Sequence, residues 1–255
     1  MPNAIIYAYL VFFILTATGC THTMEMTSCR EMFAEFPVDS TLARKNVPPE
    51  YNIRTDANGK ATLLLMVQDC EKGLLDGLIR IKPMRMSHIW MEIEGPEEVG
   101  PTLPGTTSSL PTAYYYILPH QMDSSLAHVS LNITGIDSQL VKEITLGERS
   151  GDQRLGQVIE KSPSRMYQWT ETSQFWATPN VLTGRRKFYR QYGWALKHTS
   201  TGIVTCSSSF LGEGRVILNA SPDSAIGLLR LGATLQGTVQ PVEMNCRAEI
   251  KVRIE

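Results

Sequence analysis

The sequence predicts a mainly β protein: a β-rich α+β fold in which antiparallel strands form a barrel or cone and a few short helices close its ends. Short apolar or alternating segments recur along the chain, separated by turns rich in Gly, Pro, Asn and Asp. Neither a repeat of about 20–50 residues nor a long heptad pattern is visible. The strand-like segments do not alternate with the longer helical patterns that βαβ units require.

Composition excludes two classes of protein. The chain has 255 residues, of which 42% are hydrophobic and 19% charged, and Lys+Arg 24 against Asp+Glu 25 gives a net charge of −1. A balanced charge argues against an overall electrostatic nucleic-acid binder, which needs a basic face. Abundant aliphatic and aromatic residues argue against a disordered acidic protein. An ordinary globular domain remains.

The first twenty residues predict export. Residues 4–17 carry no charge, which is too short for a bilayer span of about 20 residues but suits the apolar region of a secretory signal. Ala17, Thr18 and Gly19 then lead into Cys20. This resembles the lipobox of bacterial lipoproteins, in which the cysteine is diacylated and becomes the mature N-terminus. Ala17 stands where that motif usually has Leu, and the start of the chain lacks a basic side chain.

We therefore expect residues 1–19 to be a signal peptide, residues 20–30 a lipidated tether and residues 31–255 a single β-rich domain. The expected location is the bacterial cell envelope, with the domain facing the periplasm and the N-terminal lipid in a membrane. Thr21, rather than Asp, follows the cysteine, which resembles the sorting rule for the outer membrane. A plain secretory signal or a buried apolar strand are the alternatives.

Cysteine usage agrees with export. After Cys20 four cysteines remain, and these can pair completely in three ways: Cys29, Cys70, Cys206 and Cys246. No CxxC occurs, and the spacings fit no zinc module. Disulfides and buried thiols both remain open.

Apolar patterning assigns the elements in order. Residues 28–44 suggest one or two short helices, and Asn58-Gly59 marks a hairpin turn before a buried strand at Ala61–Val67. Residues 94–109 are expected to form a long surface loop. Further strands are expected at residues 78–81, 87–93, 113–118, 126–133, 141–146, 156–160, 167–173, 202–208, 214–218 and 247–254. Helices are expected at Thr183–Tyr192 and Asp223–Leu231.

Three stretches resemble the acetoacetate decarboxylase-like family. Residues 42–54 carry a short helical segment, a basic residue and a Val-Pro turn before the buried strand at Leu63–Gln68. Residues 114–146 hold a tyrosine-rich strand, a short segment and a Gly before the next strand. Residues 214–252 hold a strand, the run Ser-Pro-Asp-Ser and a closing strand. The resemblance implies a barrel or cone around a small pocket.

The family's chemistry implies a lysine that forms a Schiff base with a β-keto acid, beside a second lysine. The matching stretch, residues 132–139, contains no lysine and has Asp137 instead. A carboxylate there stabilises an ammonium and raises its pKa, which is the wrong direction for nucleophilic attack. Lys142 is the weak remaining candidate: it resembles a solvent-facing strand residue, although it is in phase with the apolar Ile144 and Leu146. We expect no Schiff-base activity.

Other constellations are weaker. Met84, Met86, His88 and Trp90 share a strand face and offer thioether and imidazole ligands for Cu(I), but we favour core packing as the interpretation of this pattern. The set of His120, Asp123 and His128 lacks a metal-site spacing, and we expect no metal and no cofactor. One basic cluster could contact an anionic ligand or lipid: Arg185, Arg186, Lys187 and Arg190.

The sequence thus predicts an exported lipoprotein that binds a small, mostly apolar or acidic ligand in a β-barrel domain, without catalysis. The alternative is a lyase-type, decarboxylase-like enzyme acting on a small keto acid. The expected partners are the membrane, through the lipid, and the ligand, but not nucleic acid.

Overall fold

The computed structural model describes residues 21–95, 112–133, 138–176, 182–192, 196–206, 211–240, 243–244 and 246–254. Strands dominate this part of the chain, which confirms the mainly β fold. The strands are β1 Thr21–Asp39, β2 Lys60–Leu75, β3 Ile79–Ile81, β4 Met84–Glu92, β5 Thr112–Met122, β6 Gln139–Leu140, β7 Glu143–Ser150, β8 Gln153–Ile159, β9 Met166–Trp176, β10 Leu182–Tyr192, β11 Leu196–Cys206, β12 Leu211–Ala220, β13 Thr234–Gln240, β14 Glu243–Met244 and β15 Cys246–Ile254. Three short helices accompany them in the described residues: α1 Ser40–Arg44, α2 Ser125–Ile133 and α3 Ala225–Leu228.

Seven strands are hydrogen-bonded in a closed ring. Its order is β1, β2, β4, β5, β10, β11 and β15, with β15 pairing back onto β1. All these pairings are antiparallel except that of β5 with β10, which is parallel. Closure satisfies the edge hydrogen bonds that an open sheet leaves exposed.

A second curved sheet continues from β1 through β13, β12, β9, β8 and β7. The largest core lies between this sheet and one face of β1, β2, β4 and β5, where it buries Phe36, Leu63, Ile89, Tyr167 and Trp169. The four strands β1, β2, β4 and β5 therefore form a shared wall. One wall face meets the second sheet, and the other faces the inside of the ring.

The ring side of the wall holds two further clusters. Leu64, Met66, Trp90, Tyr115 and Ile117 form an aromatic-rich cluster in the middle. At one end α2 packs against a second cluster, which combines sulfur-containing and aliphatic side chains: Met26, Cys29, Cys70, Leu75, Ile81, Met84, Met86, Met122, Ala127 and Leu131.

Two predicted helices are wrong. Residues 28–39 continue β1, which pairs with β2 from Met24 to Asp39, so only Ser40–Arg44 is helical. Residues 183–192 form β10, which pairs along its length with β11. Its Thr, Phe and Tyr residues favour a strand, and the neighbouring hairpin partner outweighs helix propensity.

One predicted strand is a helix. Residues 125–133 form α2, and Ser124 directly precedes it, with its Oγ accepting a hydrogen bond from the Ala127 amide at 3.3 Å. A serine cap of this kind marks a helix start. Residues 21–30, which were expected to form most of a tether, belong to β1, which begins at Thr21. Within the described residues, no helix is long and apolar enough to cross a bilayer.

Candidate functional site

Polar side chains occupy both faces of the shared wall where β4 meets β5. The register places His88 opposite His120 and, one residue away, Ser87 opposite Gln121. Successive strand residues point to opposite faces, so the histidines lie on the ring side and Ser87 and Gln121 on the core side. All four are buried.

A chain of hydrogen bonds links the core-side residues. The Tyr167 hydroxyl donates to Gln121 Oε1 at 2.6 Å, and it lies 2.6 Å from the Ser87 Oγ. Because the single tyrosine proton goes to Gln121, Ser87 donates to Tyr167. Gln121 Nε2 then donates to Glu160 Oε1 at 3.2 Å. Each group in the chain therefore donates to the next, and the last acceptor is the Glu160 carboxylate.

Glu160 is held by further donors. The Ala225 amide, at the start of α3, donates to its Oε1 at 2.5 Å, and Arg165 Nη2 lies 3.4 Å from its Oε2. Full burial raises the pKa of Tyr167 far above its ordinary value, although the hydrogen bond with Ser87 opposes the shift. Tyr167 therefore stays neutral and acts as a hydrogen-bond donor, not as a base.

Aromatic rings line the ring side. The His88 and His120 rings meet edge to face with centroids 4.0 Å apart, and the Trp90 ring lies 5.3 Å from that of His88. Tyr115 stacks on Trp90 with a centroid distance of 5.3 Å, and Phe33 lies 6.4 Å away on its other flank. This lining brings three apolar aromatic rings, two of them buried, together with two buried imidazoles.

A register shift separates the histidine pair from Trp90. His88 pairs with His120, but Trp90 pairs with Ile117, so β5 has one more residue than β4 in this interval. Such bulges bend a strand and redirect its side chains, and they are frequent next to functional sites.

An ion cluster lies deeper in the second sheet. Two guanidinium nitrogens of Arg154, Nε and Nη2, lie 2.8 Å from Glu171 Oε2. Arg149 and Ser173 donate to Glu171 Oε1, the latter at 2.8 Å. The cluster is joined to the wall by a hydrogen bond from Arg154 Nη2 to the Glu31 carbonyl oxygen at 3.1 Å.

The lysine that the resemblance requires is not in the described interior. Lys142 is exposed and precedes β7, and its amide donates to the carbonyls of Ile159 and Glu160. The other lysines whose side chains the structure describes are likewise exposed: Lys45, Lys60, Lys72, Lys82 and Lys161. Asp137 lies outside the described residues.

The cysteines form register pairs. Cys29 and Cys70 are joined by a disulfide between β1 and β2. Cys206 lies opposite Cys246 on β11 and β15. Cys20 lies outside the described residues.

The predicted basic cluster, Arg185 to Arg190, lies within β10, a strand of the ring, and not on a helix. Its side chains lie outside the described residues.

The structure divides the members of both predicted metal sets among different surroundings. Met84 and Met86 lie in the cluster under α2, whereas His88 and Trp90 belong to the aromatic lining. His128 Nδ1 lies 3.0 Å from the Ser138 hydroxyl, and Asp123 interacts with Arg85. The described residues contain no group of three or more His, Cys, Asp or Glu that could hold a metal.

Sequence reasoning missed the network around Tyr167, because its members come from β4, β5 and β9 and from Glu160, which follows β8. The only sequence signals were isolated polar residues, such as Ser87 and Gln121, within apolar strands.

No family model and no curated protein matches the sequence. The structure is similar to that of an acetoacetate decarboxylase, with a TM-score of 0.58, 9% identity and coverage of 91% of this chain and 89% of that one. The chain has an acetoacetate decarboxylase-like fold.

Two further structures share this fold. The enduracididine biosynthesis enzyme MppR, complexed with the condensation product of pyruvate and imidazole 4-carboxaldehyde, has a TM-score of 0.52 at 11% identity, covering 93% of this chain and 90% of that one. The acetoacetate decarboxylase of Legionella pneumophila has a TM-score of 0.52 at 10% identity, covering 89% and 87%. The acetoacetate decarboxylase-like resemblance of the sequence is thereby confirmed at the level of fold.

Proposed function

We propose that the protein is an exported lipoprotein whose acetoacetate decarboxylase-like domain binds a small, mostly apolar ligand with an acidic group, without Schiff-base chemistry. The observation that carries the proposal is the nature of the buried polar groups. They are hydroxyls, amides, carboxylates, imidazoles and guanidiniums, and no described lysine lies among them.

The ring-side lining supports the choice of ligand. Trp90, Tyr115 and Phe33 offer apolar faces of the kind that line small-molecule sites. His88 and His120 add imidazole nitrogens to this lining, and an imidazole N–H can donate a hydrogen bond to a carboxylate.

Two fluorescent probes test the site. We expect 1-anilinonaphthalene-8-sulfonate, an apolar anion, and N-phenyl-1-naphthylamine, its uncharged relative, both to bind saturably. His88→Phe and His120→Phe should weaken binding of the anion by about tenfold while changing binding of the neutral probe little, because each removes one imidazole donor and keeps a ring in its place. His128→Phe, on α2, is the control. Equal losses for both probes would contradict the role of the imidazoles.

Native mass spectrometry of the purified chain provides a second test, because a co-purified ligand adds a discrete mass that denaturation releases.

Cysteine placement supports export. With Cys20 lipidated, the four remaining cysteines are opposite each other in two cross-strand pairs, Cys29 with Cys70 and Cys206 with Cys246. Disulfides persist in oxidising compartments such as the periplasm. We expect peptide mapping without reductant to find both links, and the mature N-terminus to be a diacylated Cys20. A Cys20→Ala chain that is still processed and membrane-bound would refute lipidation.

A decarboxylase-like enzyme is the second candidate, favoured by the fold that the chain shares with acetoacetate decarboxylase. Incubation with acetoacetate and borohydride tests it directly. We expect no reduced adduct, whereas a stable adduct on Lys142 would establish the enzyme.

A further inference from the structure

We propose that the end of the ring formed by the β2–β3 hairpin is a second membrane contact, which rests on an anionic lipid surface beside the N-terminal lipid. This inference rests on the proposed attachment through Cys20. The chain that precedes the described residues supplies the reason for choosing a bilayer as the partner, because its apolar run and Cys20 end directly before β1.

The hairpin and the start of β1 lie at the same end of the ring. Met24 pairs with Leu75, the last residue of β2, so Thr21 is only three residues beyond the level of the hairpin turn. The connection is Asp76-Gly77-Leu78, with positive φ at Asp76 and Gly77 and a hydrogen bond from the Leu78 amide to the Leu75 carbonyl at 3.0 Å. A lipid on Cys20 would therefore bring this tip towards the membrane surface.

The tip carries exposed apolar side chains. Leu78 is 80% exposed and Ile79 39%. Helix α2 packs against the same hairpin through Ala127 and Leu131, and it exposes Leu126 and Val129 on its outer side. Large apolar side chains concentrated at one end of a protein mark an interaction surface.

A basic groove of about 270 Å³ lies beside the tip. Lys72, Arg80 and Lys82 line it together with the single carboxylate of Glu25. Three cations against one anion complement phosphatidylglycerol headgroups, and flanking apolar residues suit insertion at the headgroup level.

Tryptophan quenching tests the contact in the full chain. The Leu78→Trp chain, with its native N-terminal modification, is reconstituted into vesicles of phosphatidylcholine and phosphatidylglycerol with brominated acyl chains. Leu228→Trp is the matched control: Leu228 is 60% exposed but lies beside α1, at the opposite end of β1, where Asn46 bonds to the Leu229 carbonyl.

Because the native chain has four tryptophans, quenching of a fifth should remove about one fifth more of the emission in Leu78→Trp and none in Leu228→Trp. Reversing the groove charges with Lys72→Glu, Arg80→Glu and Lys82→Glu should abolish the added quenching, as should vesicles of phosphatidylcholine alone.

Vesicle flotation distinguishes failure of the proposed attachment through Cys20 from failure of the proposed tip contact. Wild-type chain that does not float with vesicles overturns both attachment and tip contact. Chain that floats, with Leu78→Trp quenched no more than Leu228→Trp, overturns the tip contact alone. Added quenching that survives charge reversal overturns the assignment of the groove to lipid headgroups.

Discussion

Removing the charge of Glu171 should destabilise the protein strongly. Its carboxylate is fully buried. It forms ion pairs with Arg154, which is 2% exposed, and with Arg149, and it accepts a hydrogen bond from Ser173. Glu171→Gln leaves the Arg154 guanidinium buried without its counter-charge. An uncompensated buried charge costs about 3–5 kcal/mol, which we expect as the loss in the free energy of unfolding.

The assay is urea unfolding followed by circular dichroism, without reductant so that the Cys29–Cys70 disulfide stays closed. The slope with urea should not change, because the exposed area on unfolding is the same. Glu148→Gln is the control: Glu148 pairs with Arg30 but is 86% exposed, so its loss should cost at most about 1 kcal/mol.

A double variant refines the test. Arg154→Met with Glu171→Gln removes the stranded charge and should recover part of the loss. A Glu171→Gln chain within about 1 kcal/mol of wild type would refute the reasoning, because the pair would then contribute no more than a surface bridge.

Three further predictions concern stability. Tyr167→Phe should lower the free energy of unfolding by about 1–3 kcal/mol, measured by urea unfolding, because it leaves Gln121 Oε1 buried without its donor. Reducing the Cys29–Cys70 disulfide, with a sequence separation of 41, should cost about 2–4 kcal/mol in thermal unfolding. Burial and then a neighbouring carboxylate raise the pKa of Glu35, so the folded state loses stability as the pH rises from the unfolded pKa of about 4.3 through the raised folded value. Glu35→Gln should therefore be more stable than wild type at neutral pH and match it in acid.

Periodicity predicted most strands but not where they pair. The sequence predicts β2, β4 and β9 because apolar residues cluster or alternate in these segments. The ring, in contrast, depends on long-range partners: β1 joins β2, β13 and β15, and no local pattern specifies such contacts. The same reason explains β10, where basic and aromatic residues fit a helix equally well until β11 is placed beside them.

The candidate site was only partly predictable for a related reason. His88 and His120 are visible as isolated histidines, yet their contact depends on the register of β4 with β5 and on the bulge after His88. Gln121 and Tyr167 do not by themselves indicate a buried network, because a single polar residue in a strand is usually solvent-facing. Only the opposing sheet shows that Tyr167 reaches across the core to Gln121.

The charge of the interior provides the last argument against Schiff-base chemistry. A nucleophilic lysine needs surroundings that lower its pKa, either apolar burial or a neighbouring cation. The described interior instead buries three carboxylates, Glu31, Glu160 and Glu171, and the fully buried cation, Arg154, is already paired with Glu171. A lysine placed among these groups would have its ammonium stabilised and its pKa raised. The surroundings of these buried carboxylates would therefore not lower the pKa of a lysine, which supports the proposal that the site holds a ligand without forming a bond to it.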